Sequence, residues 1–177
     1  MSRQYFGEVL QPLMTADQAA TFTSVAELAL WPVAPWTALA ANQLQPGQAW
    51  RVTAGGVMST AAAPGTMIIT PRYGTTTGGV ALGASIASPT LIASLTNIPW
   101  QLQATFVARS AGTAATGILT GFFTSQAVGP APAGELVFGG TVATIDTTAA
   151  SGLWIAATAT VATNTLTTRY LTFEALN

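Results

Sequence analysis

Histidine, cysteine and lysine are all absent from this chain, and charge of either sign is scarce. Without histidine, the commonest general base and the commonest transition-metal ligand are both missing. Without cysteine, no disulfide framework, thiolate metal site or cysteine nucleophile exists. The cations are five arginines spread along the chain, and the net charge is −1. Nucleic-acid binding needs clustered basic residues to neutralise phosphates, and no such run occurs. The acids are Glu8, Asp17, Glu27, Glu135, Asp146 and Glu174. No two are close in sequence, so the alternating spacing of a calcium loop is missing. A glycosidase-type carboxylate pair would have to come from distant strands. The serines have no histidine to activate them, which excludes the usual hydrolytic triad. "GTTTGG", Gly74 to Gly79, has no following lysine or helix pattern, so it reads as a hairpin turn and not as a phosphate cradle. No catalytic, cofactor-binding or metal-ligating residue is identified, and the chain is expected not to be an enzyme.

Only 6% of the 177 residues are charged, against about 25% in ordinary globular chains. Alanine (34 residues) and threonine (29 residues) fill the space. A domain living alone in water needs a substantially charged surface to resist association. This composition therefore predicts that copies of the chain, or a partner, cover much of the exterior.

Hydropathy raises the question of a membrane. The most apolar stretch, Val25 to Ala41, is interrupted by Glu27, Pro32 and Pro35, and a spanning helix wants about 20 clean apolar residues. The opening "MSRQYFGEVLQPL" lacks the charged segment and apolar core of a signal peptide. A lipid-embedded barrel is set aside for want of an export signal and of lipid-facing leucine and aromatic girdles. No membrane association is expected.

From Gln48 onward, turn signals such as "AAAPG", "YGTTTGG", "SAGTAA" and "VGPAPAG" bracket β-branched or alternating runs. The pattern predicts eight strands: Ala49–Val57, Gly65–Tyr73, Val80–Ser85, Trp100–Ser110, Thr116–Ser125, Leu136–Ile145, Gly152–Val161 and Thr165–Ala175. Eight strands without a helical period mean an all-β sandwich or barrel. In the fourth, Trp100, Leu102, Ala104, Phe106 and Ala108 share one face, while Gln101, Gln103, Thr105, Val107 and Arg109 share the other. Period 2 with one apolar side places that side in the core. In the fifth strand Ile118 and Phe122 oppose Leu119 and Phe123, so both faces are expected to be covered. In the last, Arg169 falls in register with Leu171 and Phe173. It either sits at the rim of the core or marks a bulge, and a sharper expectation pairs it with a carboxylate across a subunit boundary. Pro71 lacks a ladder donor, which points to an edge strand or a bulge.

Residues 1–47 carry prolines at 12, 32, 35 and 46 and little periodicity. They are read as an extended N-terminal arm, with residues 48–177 as the sandwich. "TADQ", Thr15 to Gln18, has the form of a helix cap, and "ATFTSVAELAL" that of an extra strand. Tyr5, Phe6, Leu10, Trp31 and Trp36 need burial, either on the chain's own sandwich or over a neighbour, and are the candidate anchor residues. Trp31 and Trp36, in "LWPVAPW", could instead stack on a sugar ring. Trp50, Trp100 and Trp154 lie in or at the start of strands and are expected in the core or an interface.

The segments "QAWRVTAGGVMST", "PGTMIITPRYG", "LGAS" and "IPWQLQATFVARSAGTAATG" resemble, in order and composition, the jelly-roll virion structural proteins of tailed bacteriophages. The resemblance spans about Gln48 to Gln126, with a weaker match in the closing strands. It is one of fold and composition, without a catalytic signature. It implies an eight-stranded jelly-roll-like sandwich behind an extended arm. The role it implies is a capsid decoration or minor capsid protein, commonly a homotrimer on the outer head surface, with the arm gripping the major capsid protein or a neighbouring copy. The implied location is the virion, after synthesis in the host cytoplasm. Phage tail, baseplate or fibre proteins of the same fold are one alternative, and a carbohydrate-binding module for host glycans is another.

Overall fold

The computed structural model describes residues 8–9, 17–21, 27–30, 39–74, 79–129 and 134–176. Twelve strands appear among them: β1 (Glu8–Val9), β2 (Gln18–Thr21), β3 (Leu28–Ala29), β4 (Ala49–Ser59), β5 (Met67–Gly74), β6 (Val80–Ala81), β7 (Ile86–Ala87), β8 (Ile98–Ala108), β9 (Ala115–Ser125), β10 (Glu135–Ile145), β11 (Gly152–Ala159) and β12 (Thr165–Ala175). They form two sheets in which every described pairing is antiparallel. The larger sheet runs β1-β12-β4-β8-β9-β10, with β2 also on β12; the smaller runs β3-β11-β5-β6, with β7 also on β5. The fold is an all-β sandwich, consistent with a jelly-roll-like arrangement. Between β4 and β12 the chain crosses from one sheet to the other four times.

Alternation in sequence becomes alternation in burial. Trp100, Leu102, Ala104, Phe106 and Ala108 of β8 are all buried, as are Trp50, Val52 and Ala54 opposite them on β4. From the small sheet Met67, Ile69, Tyr73, Leu153, Ile155 and Ala157 meet this layer. Ring pairs tie the interior together: Trp50 with Phe173 at 5.0 Å, Trp100 with Phe123 at 5.6 Å, and Tyr73 with Phe106 across the sheets at 6.3 Å. Such offset pairs add about 0.5–1.5 kcal/mol beyond the area they bury. The Trp100 indole N–H donates to the Thr167 carbonyl at 3.2 Å. The indole N–H groups of Trp50 and Trp154 are buried without an acceptor among the described residues, each at a cost of about 1–3 kcal/mol.

Three sequence expectations change. The strand expected at Val80–Ser85 is formed only at Val80–Ala81, as β6, and a second short piece, β7, follows just beyond it, both on β5. Pro71 explains the break. Its carbonyl accepts from Leu82 N–H on the outer side of β5, and it has no N–H to continue the ladder there. Gly83, at φ 115°, then turns the chain between the two pieces. The helical turn expected at Thr15–Gln18 is not formed at its described end, since Gln18 opens β2. "ATFTSVAELAL" contributes to two strands, ending β2 and forming β3, where one was expected.

The described parts of the arm lie on edges of the chain's own sandwich. β1 and β2 sit along the outer edge of β12, and β3 along that of β11. A clamp holds β3. Arg72 donates to both carboxylate oxygens of Glu27 at 2.6 and 2.5 Å and to the Gly79 carbonyl at 2.6 Å. Its guanidinium lies 5.8 Å from the Trp154 ring centroid. Leu30 follows, fully buried; its N–H donates to the Ile155 carbonyl and its carbonyl accepts from the Thr168 hydroxyl. The segment thus bridges both sheets and closes that side of the sandwich. The Glu27→Ala variant should lose about 1–3 kcal/mol, because Arg72 keeps its partly buried charge without a carboxylate. Urea denaturation measures the loss, and limited proteolysis should cut before Leu30 sooner than in the parent chain.

Candidate interaction surface

With the inner layer accounted for, the outward residues of the large sheet define its other face. They are Thr172 and Tyr170 on β12, Arg51 and Thr53 on β4, Gln101, Gln103 and Thr105 on β8, Ile118, Thr120 and Phe122 on β9, and Glu135, Val137 and Val142 on β10. The register fixes them in rows. One runs Thr172, Thr53, Gln103, Phe122, Val137, and the next runs Tyr170, Gly55, Gln101, Thr124, Glu135. Val137 is 65% exposed, Val142 46% and Tyr170 39%, values that put bulky apolar groups on the open surface. Phe122 and Ile118 are half-buried among their neighbours. The fifth predicted strand, β9, was expected to be covered on both faces; its inner Leu119 and Phe123 are buried, while its outer pair is only partly shielded.

Two glycines let this face form. At Gly56 on β4 a side chain would collide with the Thr167 carbonyl of β12, and at Gly55 one would collide with the Tyr170 ring. The β12 register shifts between Thr168 and Tyr170, so Arg169 sits on a bulge. This resolves the sequence conflict: Thr168, Leu171 and Phe173 are buried while the Arg169 side chain is 54% exposed. Within the chain its carboxylate neighbour is Asp17, 3.4 Å away. Tyr5, Phe6, Leu10, Trp31 and Trp36, the other candidate anchor residues, lie outside the described residues.

Charge on the face is sparse and placed unevenly. Arg51 pairs with Glu174 at 2.7 Å. Glu135 stands at one end of β10, and Arg109 continues the outward alternation of β8 at the opposite end. Neither has an ion-pair partner among the described residues. A shallow trough of about 350 Å³ runs over Gln103, Thr105, Phe122 and Val137, and a cleft of about 450 Å³ opens beside it at Pro99, Gln101, Ser125 and Gln126. Glu135 borders both and is the one charged residue among the described residues that line them. Among the described residues no three acidic side chains gather as a metal site. No helix among the described residues is long and apolar enough to cross a membrane. The sequence signal for this face was β9's double-sided apolar pattern; the outward Val137 and Val142 were not singled out.

No family model matches the chain, and neither a curated protein nor a solved structure gives a significant match.

Two groups near the β10–β11 connection, Tyr73 and Asp146, have shifted titrations. Burial pushes the Tyr73 phenol above its ordinary 10.0, opposed by a hydrogen bond with the Ser151 side chain, while the nearby Asp146 charge adds to the rise. The side-chain and backbone hydrogen bonds from Thr148 hold the Asp146 carboxyl below its ordinary 3.8. The two signs give opposite limbs. A phenol raised in the folded state contributes stability that is intact below 10.0 and is lost as pH climbs toward the folded value, because the unfolded chain ionises first. A carboxyl lowered in the folded state contributes stability present above 3.8 and lost as pH falls through the folded value. Urea midpoints measured against pH should show both limbs. Tyr73→Phe should flatten the alkaline one, and Asp146→Asn should soften the acid one.

Proposed function

We propose that this protein is a non-catalytic structural component that works by assembly: a virion protein that packs against its own copies and decorates a phage capsid. The observation that carries the reading is the outer face of the large sheet, which presents Val137, Val142, Tyr170 and Phe122 among threonines and glutamines, with Arg51 and Glu174 already paired to each other and only Glu135 and Arg109 besides. Covering apolar surface contributes about 25 cal/mol per Å². Because few ions must be desolvated, little of that gain is given back. The virion location comes from the resemblance of Gln48 to Gln126 to jelly-roll virion proteins, with which the sandwich architecture agrees. The absence of histidine and cysteine is in keeping with a role that needs no chemistry.

In this reading β1, β2 and β3 keep the described parts of the arm on their own subunit. The test is composition together with position. Purified phage particles should contain the chain in many copies, and imaging should place them on the head at its local symmetry axes. Particles that lack the chain overturn the reading, and copies confined to the tail replace it with a tail role.

A further inference from the structure

The outer face of the large sheet carries two charges, of opposite sign and at opposite ends, that have no ion-pair partner among the described residues. Glu135 lies in register with Thr124 and Gln101. Arg109 lies eight residues further along β8, about 27 Å away at about 3.4 Å per residue. Between them the surface holds Gln103, Thr105, Thr120, Phe122 and Val137, with no other charge until Arg51 and Glu174, which already neutralise each other. Of the four described arginines, Arg51, Arg72 and Arg169 each have a carboxylate beside them, and Arg109 has none among the described residues.

We propose that this face binds the same face of a second copy of the chain across a two-fold axis, with Arg109 of each copy against Glu135 of the other. The contact rests on the assembly reading above and deepens it. A two-fold contact is self-complementary: whatever one residue meets, the reverse pair also meets. Opposite charges at the two ends of one face are what such an axis brings together twice, while the middle, whose charged pair Arg51 and Glu174 is already neutralised within the chain, packs on itself. The offset of two strands between β8 and β10 requires the paired sheets to cross obliquely, as packed sheets ordinarily do at about 30°. Size agrees. Five strands of eleven residues, spaced about 4.8 Å apart, make a face of about 800 Å², which is what each partner gives to a standard stable interface. Phe122, on β9 at mid-length, then falls near its centre, where buried apolar anchors contribute most. The resulting unit is a dimer and not the trimer the resemblance implies.

Sedimentation equilibrium on the full chain tests the proposal. The parent chain should show twice its 18.0 kDa mass. Arg109→Glu and Glu135→Arg each bring like charges together twice and should raise the dissociation constant on the order of tenfold or more. Mixing the two single variants should restore a mixed dimer, since both crossed pairs are then opposite in sign; a three-membered ring cannot alternate in this way. Circular dichroism melts that match the parent chain separate lost association from lost folding. If the variants melt early, Arg109→Ala and Glu135→Ala take their place, and the dimer should then weaken without the mixing rescue. An oligomer indifferent to these changes overturns the two-fold face and leaves assembly through another surface standing. A chain that stays monomeric at every soluble concentration overturns both.

Discussion

Open edges are the constraint on which this sandwich turns. A strand at the end of a sheet offers unpaired N–H and C=O groups to any other strand, and proteins usually guard it with lysine or other inward charge. This chain has no lysine, so its edges are guarded by chain. β1 and β2 lie along β12, β3 along β11, and β6 and β7 along β5. On β10 the register shifts between Gly139 and Val142. Gly139 there takes a φ of 88° that only glycine adopts at low cost, and the resulting bulge disturbs a ladder that would otherwise stay open. Because most edge positions are taken by strands of two to four residues, which blunt the edge without charge, little charge is spent there. The large sheet's outer face is the broad surface among the described residues that carries exposed apolar side chains.

What the sequence made legible follows from the same division. Positions where a strand has one wet and one dry side announce themselves by period 2, and β8 was legible down to the individual buried residue. The conflict at Arg169 was legible as a conflict: a cation in register with Leu171 and Phe173 could not be satisfied by a regular strand, and the bulge is how the chain satisfies it. The break between β6 and β7 was half visible, since Pro71 marked a missing donor but the cost falls on its neighbour in the sheet. The arm strands were least legible. β1, β2 and β3 are two to four residues long, too short to show a period, and what fixes β3 is a long-range partner, Arg72, forty-five residues away. The outer face was visible only through β9, because valine on β10 reads equally well as strand propensity and as exposed surface.

The charged side chains show a rule of placement. Glu27 with Arg72 fastens the arm over Trp154, Glu174 with Arg51 bridges β12 and β4, and Asp17 stands beside Arg169 on the bulge. Each joins segments far apart in sequence, so each reports on tertiary closure and not on local solubility. The Arg72 pair is the most shielded of the three, with side-chain exposures of 20% and 24%, while the Arg169 pair is more than half exposed. Exposed pairs contribute at most about 1 kcal/mol and are screened by salt. The clamp at Glu27 therefore holds the arm more firmly than the contact at Asp17 does.

That rule makes the leftover charges informative: Arg109, Glu135 and Asp146 have no ion-pair partner among the described residues, and Arg109 and Glu135 share the outer face of the large sheet. In a chain with abundant surface ions, an unpaired Arg109 or Glu135 would be one solvated group among many. Here, where described arginines otherwise have carboxylates beside them, the leftover pair sits on the same face as the exposed apolar side chains and at its two ends. Apolar surface alone does not choose an orientation, because the hydrophobic effect has no direction. Two charges at the ends of an otherwise neutral face do choose one: they penalise a parallel copy, which sets like against like, and favour the copy turned about. With so few charges, the cost of desolvating them is small and their directional effect stands out against a neutral background, so a scarcity that weakens solubility sharpens the geometry of contact.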